Sequence, residues 1–473
     1  MSISYNYPFR ASIAEFIGRF NKNDESLTAR CVRGSVILAC GSVADRGLAF
    51  VRNMILARLL VPEEMGVMVL LLSLVALFEV IADVGIKISV IQNDKGATHG
   101  YLNVVWWIQI IRGSGLYLLG IVLAGLGYQF FFAHKADVLA LHSSDEIIGM
   151  IRVIFVTVLL NGLISPRSYV LEKELKFLRV VLLTQGSAVF GIVLTILLCF
   201  WHRNVWSMIL GTVATAFFRT VVSYGVCPFM PNPRFERAAA REVFAFARRM
   251  FGLSFLTFLA YNLDVLCLGR LVSGEMIGLY GMAVTLAAIP RDLFGKIVSP
   301  VLLPAFAEKQ YDPSMLSKSI LRITKYISYG GFLIIPIIAY YGSNIMSIVY
   351  GESYRSAGRV FCILSLAVII IVQATVLSNY LFAKNLPEKH RLFTMIRAVL
   401  LAGMIYPMIR IWGMEGAAIA VLASNCVAIM AQSYQIKINT GIRMRDYWRS
   451  WLPGAFCGIS MWMAIGLVRY WMR

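Results

Sequence analysis

The chain has 473 residues, 59% hydrophobic and 15% charged, with 44 Lys+Arg against 25 Asp+Glu and a formal net charge of +19. Soluble domains average about 45–50% apolar and about 25% charged. This composition therefore excludes an ordinary soluble globule, and with it the charge-rich, apolar-poor disordered and nucleic-acid-binding basic proteins. What remains is a polytopic membrane protein, whose Lys and Arg should collect in cytoplasmic loops.

Residues 1–33 hold Arg10, Arg19, Lys22, Arg30 and Arg33 but lack the apolar core and small-residue cleavage site of a secretory signal. They predict a cytoplasmic segment with a short interfacial amphipathic helix over 11–20. Crossing about 30 Å of hydrocarbon takes about 20 apolar residues. Thirteen stretches qualify: 34–57, 65–86, 104–128, 147–164, 181–201, 205–226, 250–269, 277–299, 326–346, 360–382, 393–409, 416–436 and 451–468. The first is interrupted by Asp45, Arg46 and Arg52, so it needs shelter from neighbours or a watery cavity. With the N-terminus inside, the segments 1–33, 87–103, 165–180, 227–249, 300–325, 383–397 and 437–450 carry 28 of the 44 basic residues, the opposite side nine and the spans seven. That alternation predicts a cytoplasmic N-terminus and, after an odd number of spans, a C-terminus outside.

A shift of 212 residues aligns Leu56-Ala57-Arg58-Leu59-Leu60-Val61-Pro62-Glu63-Glu64-Met65-Gly66 with Leu268-Gly269-Arg270-Leu271-Val272-Ser273-Gly274-Glu275-Met276-Ile277-Gly278. The shared pattern, L-x-R-L-[LV]-x-x-E-x-x-G, fills the loop after span 1 and again the loop after span 7, both outside. The copies run the same way, which predicts parallel repeats related by an axis along the membrane normal. The expected organisation is an N-lobe at 34–226, a basic cytoplasmic linker at 227–249, a C-lobe at 250–436, and a C-terminal extension at 437–473 with the thirteenth span. Two lobes rocking around a midplane site is the form of a secondary transporter. No G-x-x-x-x-G-K-[ST] phosphate loop supplies a built-in ATPase. The eight cysteines and five histidines show no metal-ligand spacing, so no cofactor or metal is expected.

Charges inside the spans carry the functional signal, because each costs at least about 2.5–3.5 kcal/mol to insert. They are Arg46, Arg52, Arg112, Arg152, Arg219, Arg291 and Lys296, with the acids Asp45, Glu79, Asp83, Asp264 and Asp292. The repeat carries Arg52 onto Asp264 and Glu79 onto Arg291, so these opposite charges could bridge the lobes in one state. Alternatively each ion pairs within its lobe, as Asp292 and Lys296 could at i,i+4. Arg46, Arg112, Arg152 and Arg219 lack obvious local acids. The guanidinium fork suits phosphate oxygens, which points to an anionic cargo, pyrophosphate above all; snorkelling competes for Arg152. The expected cationic cavity is thus Arg46, Arg112, Arg152, Arg219, Arg291 and Lys296, with Glu79, Asp83, Asp264 and Arg52 as coupling or gating candidates. Pro290, Pro336 and Pro407 lie inside spans as candidate bending points.

The run Asn262-Leu263-Asp264-Val265-Leu266-Cys267-Leu268-Gly269-Arg270-Leu271, then Gly278-Leu279-Tyr280, Ile289-Pro290 and Ser299-Pro300-Val301-Leu302-Leu303-Pro304-Ala305-Phe306, resembles the Wzx-type polysaccharide flippases of the multidrug/oligosaccharidyl-lipid/polysaccharide exporter superfamily. So do residues 56–66 with Asp83-Val84-Gly85, and Val349-Tyr350-Gly351-Glu352-Ser353-Tyr354. The resemblance covers about residues 30–436. It implies an all-α, MATE-like, V-shaped two-lobe membrane fold around a cationic cavity. It further implies movement of undecaprenyl-diphosphate-linked repeat units from the cytoplasmic to the periplasmic leaflet of a bacterial inner membrane, with ion antiport as the drive. The product would be exopolysaccharide, O-antigen or capsule, and a polymerase and other assembly proteins would be partners. Members commonly have fourteen spans, against thirteen here. A multidrug antiporter of the same fold would favour an acidic cavity for cationic drugs, whereas the spans here carry seven bases against five acids. A membrane-embedded polymerase or ligase would call for a larger outside loop with catalytic residues than 129–146 provides.

Overall fold

The computed structural model describes residues 27–82, 85–174, 176–232, 236–250, 253–308, 312–440 and 443–471. The expected amphipathic helix over 11–20 and the coupling candidate Asp83 lie outside the described residues. All regular structure among those described is helical. In chain order it comprises α1 (Leu27–Leu59), α2 (Pro62–Ile81), α3 (Ile86–Gln92), α4 (His99–Phe131), α5 (Ala136–Leu141), α6 (Ser144–Ile154), α7 (Val156–Gly162), α8 (Arg167–Lys173), α9 (Phe177–Trp201) and α10 (Val205–Val226). The second half adds α11 (Arg237–Met250), α12 (Leu253–Leu271), α13 (Gly274–Leu293), α14 (Ser299–Glu308), α15 (Pro313–Tyr350), α16 (Gly358–Ala383), α17 (Pro387–Thr440), α18 (Met444–Arg449) and α19 (Leu452–Trp471). Only structures that satisfy every backbone group internally can cross hydrocarbon, which is why apolar runs of this length fold as helices.

Nine of these helices are long and apolar enough to cross a membrane, or ten when the bent pair Ser144–Gly162 and Arg167–Lys173, at 61°, counts as one. The chain is therefore a multi-pass membrane protein. Predicted spans 34–57 and 277–299 fall on α1 and α13, whose charges dilute their apolarity. Predicted spans 393–409 and 416–436 both fall on α17, which is interrupted at Gly413 (φ 55°, ψ −131°). Backbone of that kind excludes a Cβ, so Gly413 is where the chain reverses. α16 is the most enclosed helix, with 67% of its apolar window inside the fold, and the terminal α18–α19 segment the least, at 11%. α16 is thus central and α19 peripheral, packed on α15.

The duplicated motif sets two equivalent helix starts. Pro62 opens α2 with Glu63 and Glu64 in its first turn, a placement that suits proline's fixed φ and the helix dipole. Its counterpart α13 opens at Gly274, where the Ser273 side chain caps the Met276 N–H. These two starts touch. A Cβ on Gly66 would sit 2.1 Å from the Gly274 carbonyl oxygen, and one on Gly278 would sit 1.9 Å from that of Pro62. Only glycine permits backbones that close, the small-residue device of helix packing in membranes.

Three apolar clusters show how the halves are joined. The largest takes Leu56, Met65, Leu71 and Phe155 from the first half together with Leu268, Ile277, Tyr280 and Tyr350 from the second. At the opposite end each half has its own core. Ile86, Tyr101, Val170, Phe229 and Val243 pack in the first half, and Leu302, Phe306, Leu316, Tyr380 and Tyr447 in the second. The bundle is thus fused at the motif end and divided at the end that bears the basic loops, which gives it the form of a V.

Candidate functional site

Between the arms of the V, α1 faces the C-terminal end of α13. Pro290 lies inside α13, and a π-helical turn, Phe294–Val298, follows it. Proline removes one backbone donor, and a wide turn of this type inserts a residue and re-aims those after it. Lys296, inside this turn, and Asp292, just before it, both reach α1. Arg46 Nη1 lies 3.1 Å from Asp292 Oδ2, and Lys296 Nζ lies 3.8 Å from Asp45 Oδ2. Arg291 also reaches Asp292, at 3.1 Å. The cross-half pairs are therefore Arg46 with Asp292 and Asp45 with Lys296. Arg52 donates to the Asn53 side chain from Nε and Nη2, at 3.1 and 3.0 Å, within the field of Asp45.

The pairings proposed from the repeat, Arg52 with Asp264 and Glu79 with Arg291, are not made in this conformation. Asp264 is buried and accepts from the Tyr280 hydroxyl at 2.5 Å, within α12 and α13. Glu79 accepts from Asn161 Nδ2 at 3.1 Å. The in-lobe pair of Asp292 with Lys296 is not made either, since Asp45 takes the lysine. The reason is geometric. Equivalent residues face each other only where they lie on the repeat axis, as Gly66 and Gly278 do. Away from the axis it carries them to opposite sides.

Arg46 keeps 41% of its side chain exposed, Lys296 36% and Arg291 31%, although all three sit in predicted spans. Charges are costly against lipid, so exposure of this kind inside predicted spans marks the seam as a candidate polar binding cleft. Four cations, Arg46, Arg52, Arg291 and Lys296, meet two acids, Asp45 and Asp292, so the seam is net positive. Arg112 and Arg219 lie elsewhere, in the first half, where the charges of both act on the Tyr169 hydroxyl. Among the described residues, Arg112 makes one long 3.5 Å contact, to the Ala82 carbonyl. Among the described residues, the Nε atoms of Arg46, Arg112 and Arg219 are buried without a hydrogen-bond partner. Arg152 stands apart, exposed in the last turn of α6, where a basic side chain suits the helix dipole.

One contributor escaped the sequence reading. Arg397, counted there with a cytoplasmic loop, is buried, donates to the Ala260 carbonyl at 2.7 Å and stacks 4.0 Å over the Tyr261 ring. Arg291 lies over the same ring at 5.2 Å, so Tyr261 joins the seam to Asp264's neighbourhood. The available signal was Pro387, a helix-opening residue ten positions earlier, which puts Arg397 nearly three turns inside α17.

The motif end is braced from both sides. Arg58 donates to the Ile348 carbonyl in the other half. Its counterpart Arg270 lies 5.2 Å over the Phe130 ring, Lys135 donates to the Val272 carbonyl, and Asp137 accepts from the Glu275 N–H at 2.9 Å. Burial above all, with Arg270 adding to it and Asp137 opposing it, holds the Lys135 ammonium down at about 8. Beside this brace runs an apolar groove of about 470 Å³, lined by residues such as Leu74, Phe78, Leu123 and Phe155, with Arg270 at its mouth. The groove shares no residue with the charged seam, so it is a separate feature.

The same architecture recurs in solved structures. The lipid II flippase MurJ in its inward closed conformation superposes with a TM-score of 0.72 at 12% identity, covering 93% of this chain and 100% of that one. An inward-facing multidrug resistance MATE family transporter of the MOP superfamily gives 0.61 at 13% identity, covering 89% and 98%. By sequence, the lipopolysaccharide biosynthesis protein WzxC of Escherichia coli is 24% identical over 436 residues, 90% of this chain and 85% of that protein. The family model described as polysaccharide biosynthesis protein matches residues 55–359, which include both motif copies and the Asp292 and Lys296 turn. With the paired repeats, the divided V and that match in place, the chain belongs to the polysaccharide biosynthesis protein family.

Proposed function

We propose that this protein is a flippase for lipid-linked oligosaccharides, carrying undecaprenyl-diphosphate-linked repeat units from the cytoplasmic to the periplasmic leaflet of the inner membrane. The observation that carries the reading is the net-positive seam between two halves that are fused at one end only. A diphosphate needs paired guanidinium or ammonium donors in a space sheltered from bulk water, and Arg46, Arg52, Arg291 and Lys296 line such a space. The oligosaccharide fits a polar cleft and the lipid tail stays in the bilayer, so one site serves both leaflets as the halves rock. Similarity to WzxC and to the MurJ fold supports this reading.

Topologically, we assign the basic, divided end to the cytoplasm by the positive-inside rule and the motif end to the periplasm. The conformation described is then closed outside and parted inside. The two halves act as lobes, 34–226 and 250–436, joined by the basic linker 227–249; α19 is an appendix. Arg112 and Arg219 form a second cationic station in the N-lobe. Glu79 and Asp264, together with Asp83, are the titratable acids available for coupling to an ion gradient, and Arg152 anchors its helix end.

The test is disruption of the gene in its native host. Lipid-linked repeat units should accumulate on the cytoplasmic leaflet, and plasmid-borne wild type, but not the Arg46→Ala Arg291→Ala double variant, should restore surface polymer. Accumulation on the periplasmic leaflet would point instead to a polymerase or ligase, and unchanged polymer would end the proposal.

A further inference from the structure

The loop between α4 and α6 ends on His142, which is buried at 6% exposure against the equally buried Glu64 of α2. Its Nε2 lies 3.1 Å from Glu64 Oε1. Its Nδ1 lies 3.1 Å from Glu146 Oε2 of α6, at ion-pair distance but off the line of a good hydrogen bond. The cluster continues outward. The other Glu64 oxygen accepts from the Val205 N–H at 2.6 Å, capping the start of α10, and Trp206 Nε1 donates to Glu146 at 2.8 Å. Three helix N-termini and two carboxylates thus converge on one imidazole. Cys199 and Arg203 share the field of Glu64 on the α9–α10 side, while Lys135 and Asp137 of the same loop are engaged with the other half.

We propose that His142, Glu64 and Glu146 form a proton site that ties closure of the motif end to proton occupancy from the outer solution. A neutral imidazole has one N–H and one lone pair. Both ring nitrogens here face carboxylates, so losing a proton turns one lone pair toward a carboxylate, and the buried Glu64 is the partner that cannot turn to water. Glu64 belongs to the first turn of α2, between Pro62 and Gly66, the residues that touch Gly274 and Gly278. Loosening that turn therefore loosens the contact between the halves. A proton arriving from outside would favour the closed motif end, which is the resetting stroke of the alternating-access cycle proposed above, on which this inference rests.

The sign follows from the geometry. The hydrogen bond from Glu64 above all, with the charges of Glu64 and Glu146, raises the imidazole above its ordinary 6.5 against the opposing effect of burial. Its contribution is therefore full below the ordinary imidazole value and is lost as pH rises through the raised one.

Hydrogen exchange of the full chain in phosphatidylethanolamine/phosphatidylglycerol nanodiscs tests this, with labelling times scaled for the intrinsic pH dependence. In wild type, peptides covering 62–70 and 205–209 should open about tenfold more at high pH than at low for each pH unit of proton loss. In His142→Gln they should show the open level at every pH, while peptides around Tyr380 stay unchanged in both. Glu146→Gln, which leaves the Glu64 contact in place, should move the wild-type transition to lower pH. Equal protection of wild type at low and high pH, or pH dependence that persists in His142→Gln, overturns the proton site. Because the flippase reading is tested by gene disruption, either can fail alone.

Discussion

Arg46 and Asp292 show what a single ion pair does at a seam. With the Arg46 side chain 41% exposed, the pair adds under about 1 kcal/mol to stability, so the role proposed for it is in the transport cycle and not in holding the fold. Arg46→Ala and Asp292→Ala are each expected to reduce polymer export about tenfold while moving the thermal midpoint by under about 2 °C. The swap of Arg46→Asp with Asp292→Arg should recover part of the export if pairing across the seam matters. Recovery by neither the swap nor a Lys at position 46 would show that Arg46 acts on the cargo alone. Gly66 is the opposite case, important for fit and not for charge. Gly66→Val puts a side chain where the Gly274 carbonyl sits 2.1 Å from the ideal Cβ. Overpacking of this kind costs about 1–3 kcal/mol, so thermal unfolding should shift down, with Gly278→Val behaving alike.

At the scale of the element, α13 matters because it changes helix type. Pro290 and the π-helical Phe294–Val298 turn together set the direction in which Lys296 points. Pro290→Ala should regularise the helix and withdraw Lys296 from Asp45, leaving the Arg46 contact one turn earlier. Its expected signature is reduced export with a thermal midpoint at or above that of wild type, since a helix-interior proline is itself unfavourable by about 3 kcal/mol. A lower midpoint with normal export would show that the turn serves packing only. Prolines in spans were legible in the sequence as bending points. That one of them would produce a π turn was not, because the outcome depends on which neighbour accepts the re-aimed side chains.

For the molecule as a whole, the join at the motif end predicts a lockable state. Cysteines replacing Arg58 and Ile348, whose groups meet across the halves, should react with a bismaleimide of about 10 Å and arrest export. A cleavable linker of the same length should restore it on reduction. If cross-linked protein still supports polymer formation, the motif end does not open during transport and the rocking mechanism falls.

Hydropathy, charge alternation and the 212-residue repeat are properties of the chain itself. They sufficed for the all-helical membrane class, for the helices under every predicted span and for the family resemblance, because the bilayer imposes length, apolarity and charge placement on each helix separately. The motif marked Gly66 and Gly278 as equivalent, but that they lie on the repeat axis and meet was decided by the fold. Which ions pair was decided only by the fold. Arg46 with Asp292, Asp45 with Lys296, and the burial of Arg397 and His142 all depend on how helices distant in sequence are rotated against one another. Rotation is set by packing among many side chains, which no periodicity along the chain records.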